Sequence, residues 1–178
     1  MRPKNSVIET IKTRRSIRQF RNEAVSEEII DQILEAGLWA PSGLNNQPWA
    51  FAVLRDSEIK ASLAALTHYG SIIREAPVCI AVFLDHSRVY DRTKDVQAVG
   101  ASIQNMLLAV HSMGLGAVWL GEILKNKDKV AALLGAKKDL ELMAVVALGH
   151  PTEEATRTVE GMKSGTRDRL KCRVFLRK

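Results

Sequence analysis

Apolar positions recur along this chain in two rhythms. Ile29, Ile30, Ile33, Leu34 and Leu38 fall at helical spacing. Ser26 is a suitable N-cap for that helix, and Glu27 and Glu28 favour the positive end of its dipole. Pro41 ends it. A shorter helix precedes it, capped by Asn5 and ending near Arg14, with Ile8 and Ile11 expected to face inward. Trp49 to Arg55 reads as a strand, Ser57 to Leu66 as a helix and His68 to Gly70 as a turn. Pro77 to Asp85 is apolar almost throughout, the pattern of a strand buried on both faces.

The segment from about Asp95 to Met113 predicts the central helix. Val96, Val99, Ile103, Met106, Leu107, Val110 and Met113 line one side. Small residues, Ala98, Ala101, Asn105, Ala109 and Ser112, line the other, where a second helix can approach closely. A helix packed on both sides implies a larger core or a subunit interface. Gly114 to Gly116 ends it, and Ala117 to Gly121 forms a short strand entering a loop. Lys127 to Leu134 is a further helix closed by Gly135, and Leu142 to Leu148 is a last core strand. From Thr152 the chain turns polar until the patch Val174–Leu176. That extension is expected either to wrap the body or a partner subunit, or to be disordered. With no internal repeat, residues 1–178 read as a single α+β or α/β domain.

Composition narrows the classes. A chain of 178 residues with 46% hydrophobic content can bury one sizeable core. The net charge of +6 attracts phosphates and acidic substrates as well as nucleic acid. Aromatics are only 5% and no basic run alternates with them, so a nucleic-acid partner is not expected. No uncharged apolar stretch is long enough for a membrane span, and Met1 to Ile11 has no apolar run of the signal-peptide kind. Cys79 reads as a buried thiol and Cys172 as an uninvolved one. The cysteines and histidines have no metal-site spacing. A cytoplasmic protein without structural disulfides or metal follows.

Two segments carry the chemistry. Arg14-Arg15-Ser16-Ile17-Arg18-Gln19-Phe20 offers three cations and a hydroxyl within five residues, a set suited to phosphate oxygens. A solvated basic helix end is the alternative. Ala40-Pro41-Ser42-Gly43-Leu44-Asn45-Asn46-Gln47-Pro48-Trp49 carries a hydroxyl, three side-chain amides, two prolines and an indole. Ser42 and Asn45 can serve a planar, hydrogen-bonding ligand, Trp49 reads as a core anchor and Asn46 as a turn residue. Neither a P-loop nor a Rossmann glycine motif is present.

In this order and at this separation, the two segments resemble the FMN-dependent nitroreductase family. Its first motif, approximately RRSxRxF, is matched by Arg14 to Phe20, and its second, approximately APSxxNxQPW, by Ala40 to Trp49. The central helix running from Gln104-Asn105 into the glycine turn, with its following strand, and Gly149-His150-Pro151 are weaker likenesses. The resemblance covers about residues 5 to 151. It implies an α+β fold, a mixed sheet surrounded by helices, in an intertwined homodimer with FMN at the subunit interface. Arg14, Ser16 and Arg18 would hold the FMN phosphate and ribityl chain, with Arg15 contributing mainly backbone. Pro41, Ser42 and Asn45 would reach the flavin from the other subunit, Gln104 would add to the site, and Val118, Trp119, Leu120 and Gly121 would border the ring. Arg167 would complete the phosphate site, with Arg169 and Arg173 as the other choices, because the Arg-x-Pro-Leu stretch common in relatives lacks its proline here.

The implied activity is hydride transfer from NADH or NADPH through flavin N5 to a small-molecule acceptor, a nitroaromatic or quinone, in a ping-pong cycle. The flavin carries the chemistry, so no catalytic side chain is required. Glu122 reads as an exposed loop carboxylate. Alternatives are dehalogenation or substrate oxidation on the same fold, which usually brings a lid longer than the Leu84–Asp95 stretch. A basic dimeric binding protein without redox activity is the alternative from another class.

Overall fold

A computed structural model describes residues 6–161 and Arg173. Its sheet contains β1 (Trp49–Leu54), β2 (Val78–Asp85), β3 (Gly116–Leu120) and β4 (Leu140–Gly149), in the order β1-β2-β4-β3. Ala52 faces Ala81, Ala81 faces Val145 and Trp119 faces Val146. The pairings of these strands are antiparallel, and the parallel component is an isolated bridge between Ser16 and Ala117.

Side chains alternate across a strand, so the sheet feeds two cores. On one face Ile80, Val82, Val146 and Leu148 meet α2 (Glu27–Leu38) and α5 (Arg92–Ser112) through Ile30, Ile33, Val99, Ile103 and Met106. On the other, Ala81, Phe83, Val145 and Ala147 pack with Leu63 of α3 (Ser57–Ala64), Ile73 of α4 (Gly70–Glu75) and Val130 of α6 (Lys127–Leu133). Burial on both sides is why β2 is apolar throughout and buried at every residue before Asp85.

Helix α5 lies close against α2. A Cβ at Gly37 would fall 3.0 Å from Met106 Cγ and 3.1 Å from Ser102 Oγ. Asn105 Nδ2 donates to Ala36 O at 3.1 Å. Of the small-residue stripe, only Ala98 is buried in the single chain, and Ser112 is exposed.

Several elements differ from the sequence expectation. In the single chain, Ile8 and Ile11 on α1 (Ser6–Thr13) do not face inward; they are 48% and 51% exposed. Met113 is exposed as well. The expected turn at His68–Gly70 leads directly into α4, whose six residues are too few to show a period. Glu153–Gly161 forms α7, where only a polar extension was expected. Its Ala155 is buried, and Thr152 Oγ1 accepts from the Ala155 N–H. Cys172, Arg167, Arg169 and the Val174–Leu176 patch lie outside the described residues. No described helix is long and apolar enough to cross a membrane.

Candidate functional site

The arginine segment leaves α1 as a strap along β3. Ile17 N–H donates to Ala117 O at 3.0 Å, and Ser16 bridges Ala117. Further on, Phe20 bridges Pro151, and Arg21 N–H donates to His150 O at 2.8 Å. Ile17 and Phe20 are buried and anchor the strap. Arg14 and Ser16 are half-buried and Arg18 is exposed, at alternate positions of the strap. Arg15 turns back, donating from Nη1 to Lys12 O at 2.7 Å and to Arg14 O at 2.9 Å. It thereby satisfies carbonyls left open at the end of α1. Arg18 Nη1 donates to Ser16 O at 3.3 Å, and no described carboxylate forms an ion pair with it.

The strap brings these cations beside β3. Val118 and Leu120 are buried and present only backbone to a ligand, whereas Trp119 is 42% exposed. Gly121 follows on the surface, with nothing within 4 Å of where a Cβ would stand.

Glu122 comes next, and where an exposed loop carboxylate was expected it is a half-buried clamp. Thr67 Oγ1 donates to it at 2.6 Å and His68 N–H at 3.2 Å, and Lys125 pairs with it. Hydrogen bonds from Lys125 and Thr67 lead the effects that hold its carboxyl down to about 2. Asn126 Nδ2 adds a bond to Leu66 O at 2.8 Å. Together they fasten the turn after β3 to the α3–α4 connection.

The Ala40–Trp49 loop lies elsewhere. Trp49 is buried, as expected of an anchor, while Pro41 and Asn45 are exposed and Ser42 is half-buried. Gln47 N–H donates to Ser42 Oγ at 3.0 Å. Leu44, Asn45 and Gln47 have positive φ of 55°, 54° and 47°. Asn46 is more than a turn residue: its Nδ2 donates to Asp95 Oδ1 at 2.7 Å and to Arg88 O at 2.9 Å.

One chain keeps the two motifs apart. Asn46 meets Asp95 in the first turn of α5, whereas Thr13, next to Arg14, meets His111 in its last turn at 2.8 Å. Those turns are 16 residues apart, about 24 Å along a helix. The sheet agrees: the loop joins the end where Leu84 pairs with Glu141, and the strap joins the end where Gly116 pairs with Gly149. Gln104 is exposed on α5 between the two positions.

Sequence reasoning missed Asp95 and His111 as site neighbours. Asp95 read as the start of a helix, and its signal, an acidic residue in a first turn, is common to many helices. Thr13 donates its hydroxyl to Glu9 O at 2.7 Å and so accepts from His111 Nε2. Burial, then Arg14 and Arg15, hold His111 below its ordinary value.

Residues 11–69 and 63–150 match the nitroreductase family, and the chain belongs to that family. A provisionally named nitroreductase from Desulfovibrio desulfuricans, solved in complex with FMN, is 45% identical, with a TM-score of 0.90 and 99% of both chains covered. A provisionally named NADH dehydrogenase/NAD(P)H nitroreductase of Methanothermobacter thermautotrophicus is 39% identical over 153 residues, covering 84% of this chain and 80% of the relative. The NADPH:FMN oxidoreductase of Vibrio harveyi, complexed with NAD+, has a TM-score of 0.81 at 27% identity, covering 98% of this chain and 77% of that one.

Proposed function

We propose that this chain is an NAD(P)H-dependent FMN oxidoreductase whose two flavin sites are each built from both subunits of a homodimer. The observation that carries this reading is the separation of the strap from the loop along α5. Each motif has the chemistry for part of FMN, and a second copy is needed to bring them to one ligand.

The strap fits the phosphate end. Arg18, with no described carboxylate paired to it, can turn its guanidinium fork to phosphate oxygens, and Arg14 and Ser16 occupy the matching alternate positions. The Trp119–Gly121 stretch would border the ring, where the bare Gly121 backbone allows close approach. Pro41, Ser42 and Asn45 would reach the ring from the partner. When bound, FMN supplies hydride acceptance at N5 from NADH or NADPH and delivery to an acceptor in a ping-pong cycle. The protein's residues bind and orient it, and partner contacts exclude water. Exposed Trp119 suits a flat aromatic acceptor such as a nitroaromatic or quinone.

Dimerisation has its own support. Val7, Ile8 and Ile11 of α1 are exposed, as are Leu38 and Trp39 at the end of α2, Trp39 by 79%. A groove of about 450 Å³ runs among Val7, Ala36, Trp39, Asn105 and Ala109. It includes part of the small-residue side of α5, where close helix approach was expected. An apolar patch of this kind marks an interaction surface, and a second copy would cover it.

Purified protein tests the proposal. It should show a flavin absorbance band that NADH or NADPH bleaches. Colourless protein that takes up no added FMN would contradict it.

A further inference from the structure

We infer that Asp95 is a positioning residue for the flavin site, acting through Asn46 on the loop that carries Ser42 and Asn45. The inference rests on the FMN reading above.

The loop needs an external hold. Leu44, Asn45 and Gln47 all adopt left-handed backbone, which non-glycine residues keep only where the surroundings over-determine it. Leu44 is 85% exposed, so its own packing does not supply that hold. The bonds inside the loop are short-range: Gln47 N–H to Ser42 Oγ and Asn46 N–H to Gly43 O at 3.0 Å each, Asn45 N–H to Ser42 O at 3.2 Å, and Gln47 Nε2 to Asn45 O and Oδ1 at 3.4 and 3.3 Å. The Asn46 side chain instead reaches into the body of the protein.

What it finds there is a buried charge. Asp95 has no exposed surface. Its Oδ1 accepts from Asn46, and its Oδ2 accepts from the N–H groups of Tyr90 and Asp91 at 3.0 Å each. Burial opposes the carboxylate form, but the bonds from Asn46, Asp91 and Tyr90, with Lys94 nearby, outweigh it and hold the group below its ordinary value. A buried carboxylate is kept only when donors satisfy it. Asn46 uses its Nδ2 group on Asp95 and Arg88, leaving its own Oδ1 buried without a partner among the described residues. The amide orientation therefore follows the charge.

The same carboxylate organises the segment that covers the loop. Tyr90, whose N–H it accepts, lies so close to Gly43 that a Cβ there would overlap Tyr90 Oη. Lys94 Nζ stands 5.1 Å from the centre of the Tyr90 ring. Asp95 thus holds the loop directly through Asn46 and supports its cover through Tyr90. In the proposed dimer, Ser42 and Asn45 serve the partner's flavin, so Asp95 sets flavin geometry without touching it.

The test uses full-length protein carrying Asp95→Asn, Asn46→Ala or both. FMN affinity is measured by fluorescence quenching, and amide exchange of residues 42–47 is measured without FMN. Each single variant should weaken FMN by about tenfold, the loss of one charge-assisted bond, and the pair should weaken it no further than the worse single. Exchange across 42–47 should quicken in both. Asn46→Ala leaves the Tyr90 and Asp91 bonds to Asp95 in place, so it carries the test if Asp95→Asn fails to fold. Wild-type affinity in Asn46→Ala, or additive losses in the pair, would overturn the assignment. Wild-type protein that binds no FMN would overturn the flavin reading, and this inference with it.

Discussion

Gly116 and Ile17 pack so closely that a Cβ on Gly116 would fall 2.6 Å from Ile17 Cβ. This contact seats the arginine strap against β3. Ile17 N–H bonds to Ala117 O one residue further on, and Arg14, Ser16 and Arg18 flank that point. The glycine that opens β3 therefore decides where the cations lie.

Gly116→Ala should lift the strap from the sheet edge. Overpacking of this kind costs about 1–3 kcal/mol. Thermal unfolding should show that loss, and FMN affinity should fall with it. A variant with wild-type melting temperature and FMN affinity would mean that the contact does not set the strap.

Trp39 tests the apolar face. Trp39→Lys places a charge where the single chain shows 79% exposure, so the monomer should tolerate it. In the proposed dimer it would be buried. Sedimentation should show monomer with near-native circular dichroism, and bound FMN should be lost. A dimer that keeps its flavin would place the subunit contact elsewhere.

His111 gives a pH signature. Burial, with Arg14 and Arg15, lowers its pKa from the ordinary 6.5. The unfolded chain therefore binds a proton at a pH where the folded chain does not. Stability is full above 6.5 and falls as pH drops from 6.5 towards the lowered value. His111→Gln should remove this slope from denaturation midpoints taken across that window. A phosphate beside Arg14 would offset the arginine field, so the His111 resonance should titrate at higher pH with FMN bound. An unchanged titration would argue against phosphate near the strap.

What the sequence made legible follows from where the information lies. β2 could be read because a strand buried on both faces has no polar alternation. The two motifs stood out because each packs too many polar groups into a few residues for a simple connection. The pair Asn46–Asp95 was hidden because its members are 49 residues apart and each looks ordinary in its own element. Spacing also revealed the apolar stripe of α1, with Ile8 and Ile11, but not what covers it. Among the described residues Ile8 and Ile11 stay about half exposed, and that mismatch between pattern and burial supports a second subunit. α4, six residues long, is below the length at which periodicity can be seen.

The central claim is that one flavin site takes its arginines from one chain and its loop from the other. Subunit complementation tests it most directly. One variant carries Arg14→Ala with Arg18→Ala, and the other carries Ser42→Ala with Asn45→Ala. The arginine variant should bind FMN at least tenfold more weakly, since a charged hydrogen bond is worth about 1.5–3 kcal/mol. The loop variant should also bind more weakly, through the loss of neutral hydrogen bonds worth about 0.5–1.5 kcal/mol each. Unfolded together and refolded as a mixture, they form mixed dimers in which one site is doubly broken and the other intact. Roughly a quarter of all sites should then regain wild-type FMN affinity and NAD(P)H-driven turnover, as random pairing into two-fold symmetric dimers requires. Mixed dimers, verified by mass, with no recovered site would contradict the shared-site account.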